Sequence, residues 1–175
     1  MNVGATSETE YGDYFAWGEI APYYTGLLYD GTAQGWKSGK ENGYSPESYL
    51  LGPGNDAATA NWGGDWRMPT KAEWEELMNP ENCTWVWQPL GLGNAYMIIS
   101  RIDGYTDKYI ILPAAGHYSG TSLTNSIISG CYWSSSFNDE ETAYNLSFDQ
   151  FCESLNGREF YYGCPVRPVY NVAYK

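Results

Sequence analysis

Residues 66–80, WRMPTKAEWEELMNP, contain the clearest secondary-structure signal in the chain. Thr70 is a favourable N-cap residue, and Glu73, three positions later, completes a capping box with it. Pro80 cannot continue a helix, so the helix is predicted to end just before it. The apolar side chains available for its buried face are Ala72, Trp74, Leu77 and Met78. A shorter helix is predicted upstream, in NDAATANWGG (55–64).

After Asn82 the sequence changes to short segments rich in Val, Ile, Tyr and Trp, separated by Gly, Asp and Asn, which is typical of β-strands. The predicted strands are CTWVWQPL (83–90), AYMIISRI (95–102), KYIILPAAG (108–116), CYWSSSF (131–137), TAYNLSF (142–148) and CPVRPVY (164–170). Residues 30–55 are predicted to form a long irregular excursion. Helices early and strands late in the chain predict a single α+β domain.

The charge balance excludes some classes of partner. The 175 residues include 21 acidic and 9 basic side chains, for a net charge of −12. Such a field repels phosphate backbones, and no Lys/Arg cluster overrides it locally, so no nucleic-acid partner is expected. No apolar run approaches the roughly 20 residues of a transmembrane helix, so no direct membrane insertion is expected. Residues 1–19 also lack the basic and apolar regions of a signal peptide.

Signatures of catalysis and metal binding are weak. The cysteines are Cys83, Cys131, Cys152 and Cys164. They form no C-x-x-C pair and His117 is the sole histidine, which disfavours a zinc site and favours free thiols, with disulfides as the alternative. The serines at 134–136 would need a general base to act as nucleophiles, and nothing in the sequence connects them to His117. We therefore predict a non-enzymatic protein without a cofactor, in which the serine run satisfies backbone groups; a bound metal stays an open question.

Residues 142–149, TAYNLSFD, alternate between apolar and polar side chains, as a half-buried strand does. The predicted buried face consists of Tyr144, Leu146 and Phe148. The predicted exposed face consists of Asn145, Ser147 and Asp149. A turn predicted at Asn156-Gly157 would fold the following residues back beside the exposed face.

Residues 151–164, FCESLNGREFYYGC, follow neither a strand period nor a helix period. The segment holds four aromatic residues, a leucine and two cysteines among charged and amide side chains. It is too apolar for an ordinary surface loop and too polar for a core strand. Such local inconsistency with folding is typical of functional sites.

Six blocks occur in order across nearly the whole chain: YGDYFAWGE (11–19), NWGGDWRMPTKAEWEEL (61–77), CTWVW (83–87), ILPAAG (111–116), GCYWSSS (130–136) and GCPVRPV (163–169). Together they resemble the Bacteroidetes paralogous domains with a C-type-lectin-like fold, which are similar to the formylglycine-generating-enzyme and sulfatase-modifying-factor group. The resemblance implies one C-type-lectin-like domain over residues 1–175, with short helices packed on small antiparallel sheets. The residues of these blocks assigned to the scaffold are Trp66, Trp74, Trp133 and Arg167.

The resemblance implies three functional possibilities. Oxidase activity, as in the formylglycine-generating enzyme, needs a close late pair of copper-binding cysteines, whereas Cys131, Cys152 and Cys164 are widely spaced. Calcium-dependent sugar binding uses Glu-Pro-Asn or Gln-Pro-Asp with Trp-Asn-Asp, and only FND (137–139) is close to any of these. The third possibility is the variable protein of a diversity-generating retroelement. Such proteins display a mutagenised segment between a YWSSS-like strand and a VRPV-like strand.

In that third family, adenine mutagenesis turns asparagine codons into codons for Tyr, Phe, Ser, Asp, Cys, Leu or Gly, but not for Trp, Gln or Glu. The candidate variable ligand-binding segment is accordingly 131–165, in which Gln150, Glu153 and Glu159 would be fixed. The predicted ligand-binding residues are Phe137, Asn145, Ser147, Asp149, Phe151, Cys152, Leu155, Asn156, Phe160, Tyr161, Tyr162 and Cys164, and the expected anchors are Phe160, Tyr161 and Tyr162.

The resemblance implies a ligand-binding protein with a diversified C-terminal surface, acting on a bacterial cell surface or on a phage virion such as a phage tail. The expected partner is a protein or glycan ligand on a cell surface. The alternative is a fixed-sequence bacterial surface adhesin or glycan-binding module.

Overall fold

The chain combines two short helices with twelve strands in the part that the computed structural model describes, residues 1–22, 50–91, 93–120 and 122–171. In chain order the elements are β1 (Tyr14–Phe15), α1 (Ala57–Trp62), β2 (Trp66–Arg67), α2 (Lys71–Met78), β3 (Cys83–Leu90), β4 (Gly93–Ser100), β5 (Tyr109–Pro113), β6 (His117–Ser119), β7 (Ser122–Thr124), β8 (Ser129–Phe137), β9 (Thr142–Asp149), β10 (Glu153–Glu159), β11 (Cys164–Pro165) and β12 (Val169–Tyr170). The strands form five small antiparallel sheets with strand orders β1-β11, β10-β9-β8, β12-β2, β3-β4-β5 and β6-β7. The α+β class is confirmed in this general form. Neither helix in the described ranges is long and apolar enough to cross a membrane.

Helix α2 forms where the capping signal predicted it. The Thr70 hydroxyl accepts a hydrogen bond from Glu73 N at 3.2 Å, and Glu73 Oε2 accepts one from Thr70 N at 2.8 Å. Arg67 donates to both carboxylate oxygens of Glu73, at 2.6 and 2.7 Å, and these hydrogen bonds lower the pKa of Glu73. Trp74 is buried as predicted, but Ala72 is exposed, so its predicted place on the buried face is wrong. Ala72 lies two residues before Trp74 and therefore about 200° around the helix from it, so its side chain points away from the core.

The later strands lie close to their predicted positions. Strand β3 occupies the predicted residues 83–90, and β8 and β9 extend the predicted strands by one or two residues. The predicted strand 164–170 instead divides into β11 and β12, which pair with different partner strands. Pro168 lies between the two and lacks the N–H that a continuous strand would donate. Of the predicted irregular excursion at 30–55, residues 30–49 lie outside the described residues.

The central sheet β10-β9-β8 separates two hydrophobic cores. Neighbouring residues of β8 show this directly, because Tyr132 belongs to one core and Trp133 to the other. The first core also contains Trp74, Tyr96, Leu112, Leu146 and Phe148. The second also contains Phe15, Trp17, Met68, Phe160 and Cys164. The middle strand β9 is therefore covered on both faces along part of its length.

Burial on both faces corrects the predicted exposed face of β9. Asn145 has 0% of its surface exposed, and its Nδ2 donates to Ser147 Oγ at 2.7 Å and to Cys131 Sγ at 3.1 Å. Ser147 and Asp149, further along the strand, are half-buried. Alternation of apolar and polar residues indicates a solvated face only where no second layer covers it. Here the second core covers Asn145.

The predicted core face of β9 is confirmed for two of its three residues. Leu146 and Phe148 are buried. Tyr144 is only half-buried, and the Lys71 ammonium lies 4.6 Å from the centre of its ring. The aromatic ring is thus covered by a cation from α2 and not by the apolar core.

The turn predicted at Asn156-Gly157 is wrong. Both residues lie within β10, opposite Asn145 and Tyr144 of β9. A Cβ atom at Gly157 would lie 2.6 Å from Asn138 Nδ2, so this glycine provides space for a neighbouring loop and does not reverse the chain. The reversal between β9 and β10 occurs at residues 150–152.

Candidate functional site

The β9–β10 hairpin carries most of the predicted ligand-binding residues. Its strands pair in continuous antiparallel register, and their side chains alternate between two faces. One face carries Asn145, Ser147, Ser154, Asn156 and Arg158. The other face carries Leu146, Phe148 and Leu155, which pack in the first core. The polar face and the hairpin tip are therefore the candidate site, and Leu155 lies on the wrong side to join it.

Asp149 shapes the tip of the hairpin. Its Oδ1 accepts hydrogen bonds from the backbone N–H groups of Phe151 at 2.7 Å and Cys152 at 3.2 Å, and its own N–H donates to Cys152 O at 3.0 Å. The Asp149 carboxylate thus serves the turn, in the manner of an Asx-turn. Phe151 is left 83% exposed and Cys152 is also exposed.

Three predicted contact residues are buried, which corrects the sequence-based prediction for them. Phe160 is 1% exposed, because its ring stacks on Trp17 at 4.8 Å and on the half-buried Phe137 at 6.3 Å. Cys164 and Asn145 are both 0% exposed. These three side chains help to hold the second core to the central sheet and offer no contact surface to a ligand.

The remaining predicted aromatics lie beside the polar face. Tyr161 is exposed, Tyr162 is half-buried, and their rings stack at 4.8 Å. The Tyr162 ring also contacts the guanidinium of Arg158 at 5.0 Å and the ring of His117 at 5.5 Å. Tyr162 is therefore fixed by its neighbours, while Tyr161 is available to a partner.

A polar cavity of about 240 Å³ opens beside this face. Ser147, Asp149 and Cys152 line it, which brings together three of the predicted residues. Arg158 also lines it, and its side chain makes no hydrogen bond or ion pair with any other described residue. Its Nε is buried without a hydrogen-bond partner. The Tyr162 ring covers this guanidinium but does not replace a hydrogen-bond acceptor for Nε. Because burying an unpaired polar group is costly, the guanidinium suits an external acceptor, such as a carboxylate.

Two thiols lie at the base of the same cavity. Cys131 Sγ and Cys164 Sγ are 2.8 Å apart, and all four cysteines of the chain are free thiols. Burial raises the pKa of Cys164, so this thiol keeps its proton and can donate to Cys131. Burial opposes ionisation of Cys131, but the hydrogen bond from Cys164, the charge of Arg158 and the hydrogen bond from Asn145 together lower its pKa.

His117 is the other titratable group of the cavity that sequence reasoning left unassigned. It is the first residue of β6. Burial, and secondly the charge of Arg158, lower its pKa to about 4. His117 is therefore neutral at pH 7, and Arg158 supplies the positive charge of this cavity.

We expect His117 to make the protein less stable as the pH falls. Its folded-state pKa of about 4 lies below the unfolded value of about 6.5, so the unfolded state binds the proton first. The stabilisation is complete above pH 6.5 and is lost as the pH falls towards 4. Because the ring is partly exposed, we expect a loss of only about 1 kcal/mol between pH 7 and pH 5. Urea denaturation at both pH values should show this loss, and His117→Gln should remove most of it. An equal loss in both proteins would contradict the assignment.

A second cavity, of about 260 Å³, lies on the other side of the hairpin tip. Phe151, Trp87 and Ile128 line it, and Ile128 is 57% exposed. The adjoining Ile127 has φ +67°, which is rare for a β-branched residue and costs free energy. The tip of the hairpin thus lies between a polar cavity and an apolar one, with Asp149 lining both.

The serine run has the structural role predicted for it. Ser134 Oγ donates to Tyr144 O at 2.8 Å, and Ser135 Oγ donates to Pro69 O at 3.3 Å. Ser136 Oγ accepts from the N–H of Lys71, the first residue of α2, at 2.9 Å.

Within the described ranges there is no group of three or more His, Cys, Asp or Glu residues that could hold a metal ion.

Arg158 is the functional candidate that sequence reasoning missed. It is the sole Lys or Arg between Lys108 and Arg167, which was a usable signal. Its importance is clear only from the structure, because a missing partner cannot be recognised in a sequence.

A fold alone does not imply a function, so similarity to characterised proteins would add independent information. No protein-family model, no curated protein and no solved structure matches this chain.

Proposed function

We propose that this protein is a non-catalytic ligand-binding protein whose binding surface is the tip and polar face of the β9–β10 hairpin. The surface consists of Ser147, Phe151, Cys152, Ser154, Asn156, Arg158 and Tyr161. It lies within the segment 131–165, for which the resemblance implies diversification by a retroelement. The observation that carries the proposal is the partly buried side chain of Arg158, which contacts the Tyr162 ring but makes no hydrogen bond or ion pair with the described residues.

The surface combines the two kinds of contact that binding sites use. Phe151 and Tyr161 present exposed aromatic rings, which bury a large area with little loss of conformational entropy. The serine and asparagine side chains between them provide adaptable hydrogen-bonding groups. Arg158 provides one fixed charge at the base. We infer a macromolecular ligand, a protein or glycan on a cell surface, that places an acidic group beside Arg158.

One observation favours the alternative of a fixed-sequence surface adhesin. Asn145, Phe160 and Cys164 lie in the candidate variable segment but are buried in the core. Random substitution at buried positions typically costs several kcal/mol, so free diversification of the whole segment would unfold many variants. Diversification is compatible with the structure only if it is concentrated on the exposed positions.

A displayed library tests the proposed surface. It randomises six positions of that surface while keeping Arg158: Ser147, Phe151, Cys152, Ser154, Asn156 and Tyr161. We expect most members to resist protease, because these side chains are exposed or line the cavity. Sorting of the folded members against several unrelated purified proteins should yield specific binders.

A matched control library randomises six exposed positions outside the hairpin: Thr84, Val86, Arg101, Asp103, Tyr105 and Tyr109. It should also remain folded but yield few or no binders. The proposal is wrong if the hairpin library unfolds or if both libraries yield binders equally often.

A further inference from the structure

A third cavity, lined by three tryptophans among other side chains, contains no residue of the hairpin in its wall. Its volume is about 320 Å³, which falls within the usual range for small-molecule sites. Trp62, Trp66 and Trp74 form much of its wall, together with apolar side chains of α2 and β12. The rings of Trp62 and Trp66 meet edge to face at 4.9 Å, so the indoles support each other. A planar apolar molecule can pack face-on against one of these indoles and edge-on against the other.

Arg167 gives the cavity a positive charge. It is only 9% exposed, yet it makes a single hydrogen bond, from Nη1 to Ile111 O at 2.9 Å. No carboxylate of the described residues lies within ion-pair distance of its guanidinium. Burial lowers the pKa of Arg167, because removal from water disfavours the charged form. Because the guanidinium is mostly removed from water and has no anion beside it, a carboxylate that entered the cavity could form a strong charge-assisted hydrogen bond with it.

The carboxylate that does line the cavity is already paired. Glu73 accepts two hydrogen bonds from Arg67 and further hydrogen bonds from Thr70. It therefore does not neutralise Arg167.

We propose that this cavity is a second binding site, independent of the hairpin surface, for a small planar aromatic carboxylate. The ring would lie against the indoles of Trp62 and Trp66, and the carboxylate would pair with Arg167. A guanidinium matches a carboxylate with two parallel hydrogen bonds, which neutral amides cannot reproduce with the same strength. The assignment gives Arg167 a ligand-binding role in place of the scaffold role expected from the sequence.

Calorimetric titration of the whole chain with two matched compounds tests this site. The probe is naphthalene-2-carboxylate, and naphthalene-2-carboxamide is its neutral counterpart. We expect the carboxylate to bind at least about tenfold more tightly than the amide, equivalent to about 1.4 kcal/mol. Arg167→Gln should abolish this preference. Arg158→Gln removes the same charge at the hairpin cavity and should leave the preference unchanged.

The outcomes separate the two sites. Failure of both compounds to bind the wild-type chain at about millimolar concentration, or equal binding of both, would overturn the assignment. Loss of the preference in Arg158→Gln, but not in Arg167→Gln, would place the carboxylate at the hairpin and also overturn it. If Arg167→Gln fails to fold, the test uses Trp62→Leu instead. Trp62 is half-buried, and its replacement should weaken binding of the carboxylate. Unchanged affinity in Trp62→Leu would contradict the proposal.

Discussion

Trp74→Ala is expected to lower the free energy of unfolding by about 3–5 kcal/mol, as truncation of a large buried aromatic does. Trp74 is 3% exposed and is the buried anchor of α2 in the first core. Its ring lies 6.4 Å from that of Tyr132, and its Nε1 donates to Trp133 O at 3.4 Å. The substitution removes these contacts and leaves a cavity between the helix and the central sheet. Chemical denaturation of both proteins measures the difference.

Glu76→Ala provides the control within the same helix. Glu76 is exposed, so its replacement should change stability by no more than about 0.5 kcal/mol. A similar small effect of Trp74→Ala would show that α2 is not anchored by this side chain.

Phe160→Ala is expected to be about as destabilising, by about 3–5 kcal/mol, although sequence reasoning predicted Phe160 as a ligand anchor. The ring is 1% exposed and lies between Trp17 and Phe137. Its backbone carbonyl also accepts a hydrogen bond from Trp17 N at 2.9 Å. Loss of the ring should separate the N-terminal segment from the central sheet, which denaturation will detect.

The neighbouring residue is the matched control. Tyr161 is 41% exposed, so Tyr161→Ala should change stability by less than about 1 kcal/mol. If Tyr161 contacts a ligand, its loss should instead weaken binding, by about 2 kcal/mol for an anchoring aromatic. Equal stability losses in the two variants would contradict the division between core and surface at this point of the chain.

Local signals predicted the parts of the fold that depend on neighbours in sequence. Thr70 and Glu73 cap α2 through contacts three residues apart, and the capping box is therefore readable without any tertiary information. The strand 83–90 was likewise visible from its composition. The C-type-lectin-like fold remains an expectation from resemblance.

The sequence-based predictions were wrong where tertiary contacts determine whether a side chain is buried or where the chain turns. Asn145 was predicted to be exposed from strand alternation, but a second core covers that face of β9. Phe160 and Tyr161 are adjacent aromatics of similar character, and only packing against Trp17 separates the core residue from the surface residue. Asn156-Gly157 matches a turn sequence, yet Gly157 lies within a strand, where its lack of a side chain lets Asn138 approach closely.

The candidate site could be predicted in part. Phe151, Cys152, Asn156 and Tyr161 are exposed, as the irregular composition of 151–164 suggested. Arg158 and His117 were missed because their significance depends on which partners surround them in space. Burial lowers the pKa of His117, and no local pattern encodes that environment.

Sequencing of this locus across a natural population, together with its flanking DNA, tests the central claim most directly. We predict an imperfect repeat of the 131–165 coding region that differs at adenines, beside a reverse transcriptase gene. Substitutions should concentrate at the codons of Phe151, Cys152, Asn156 and Tyr161, while those of the buried Phe160 stay invariant. A locus without such a repeat, and with no excess of substitutions at the exposed hairpin codons, would contradict diversification of this surface.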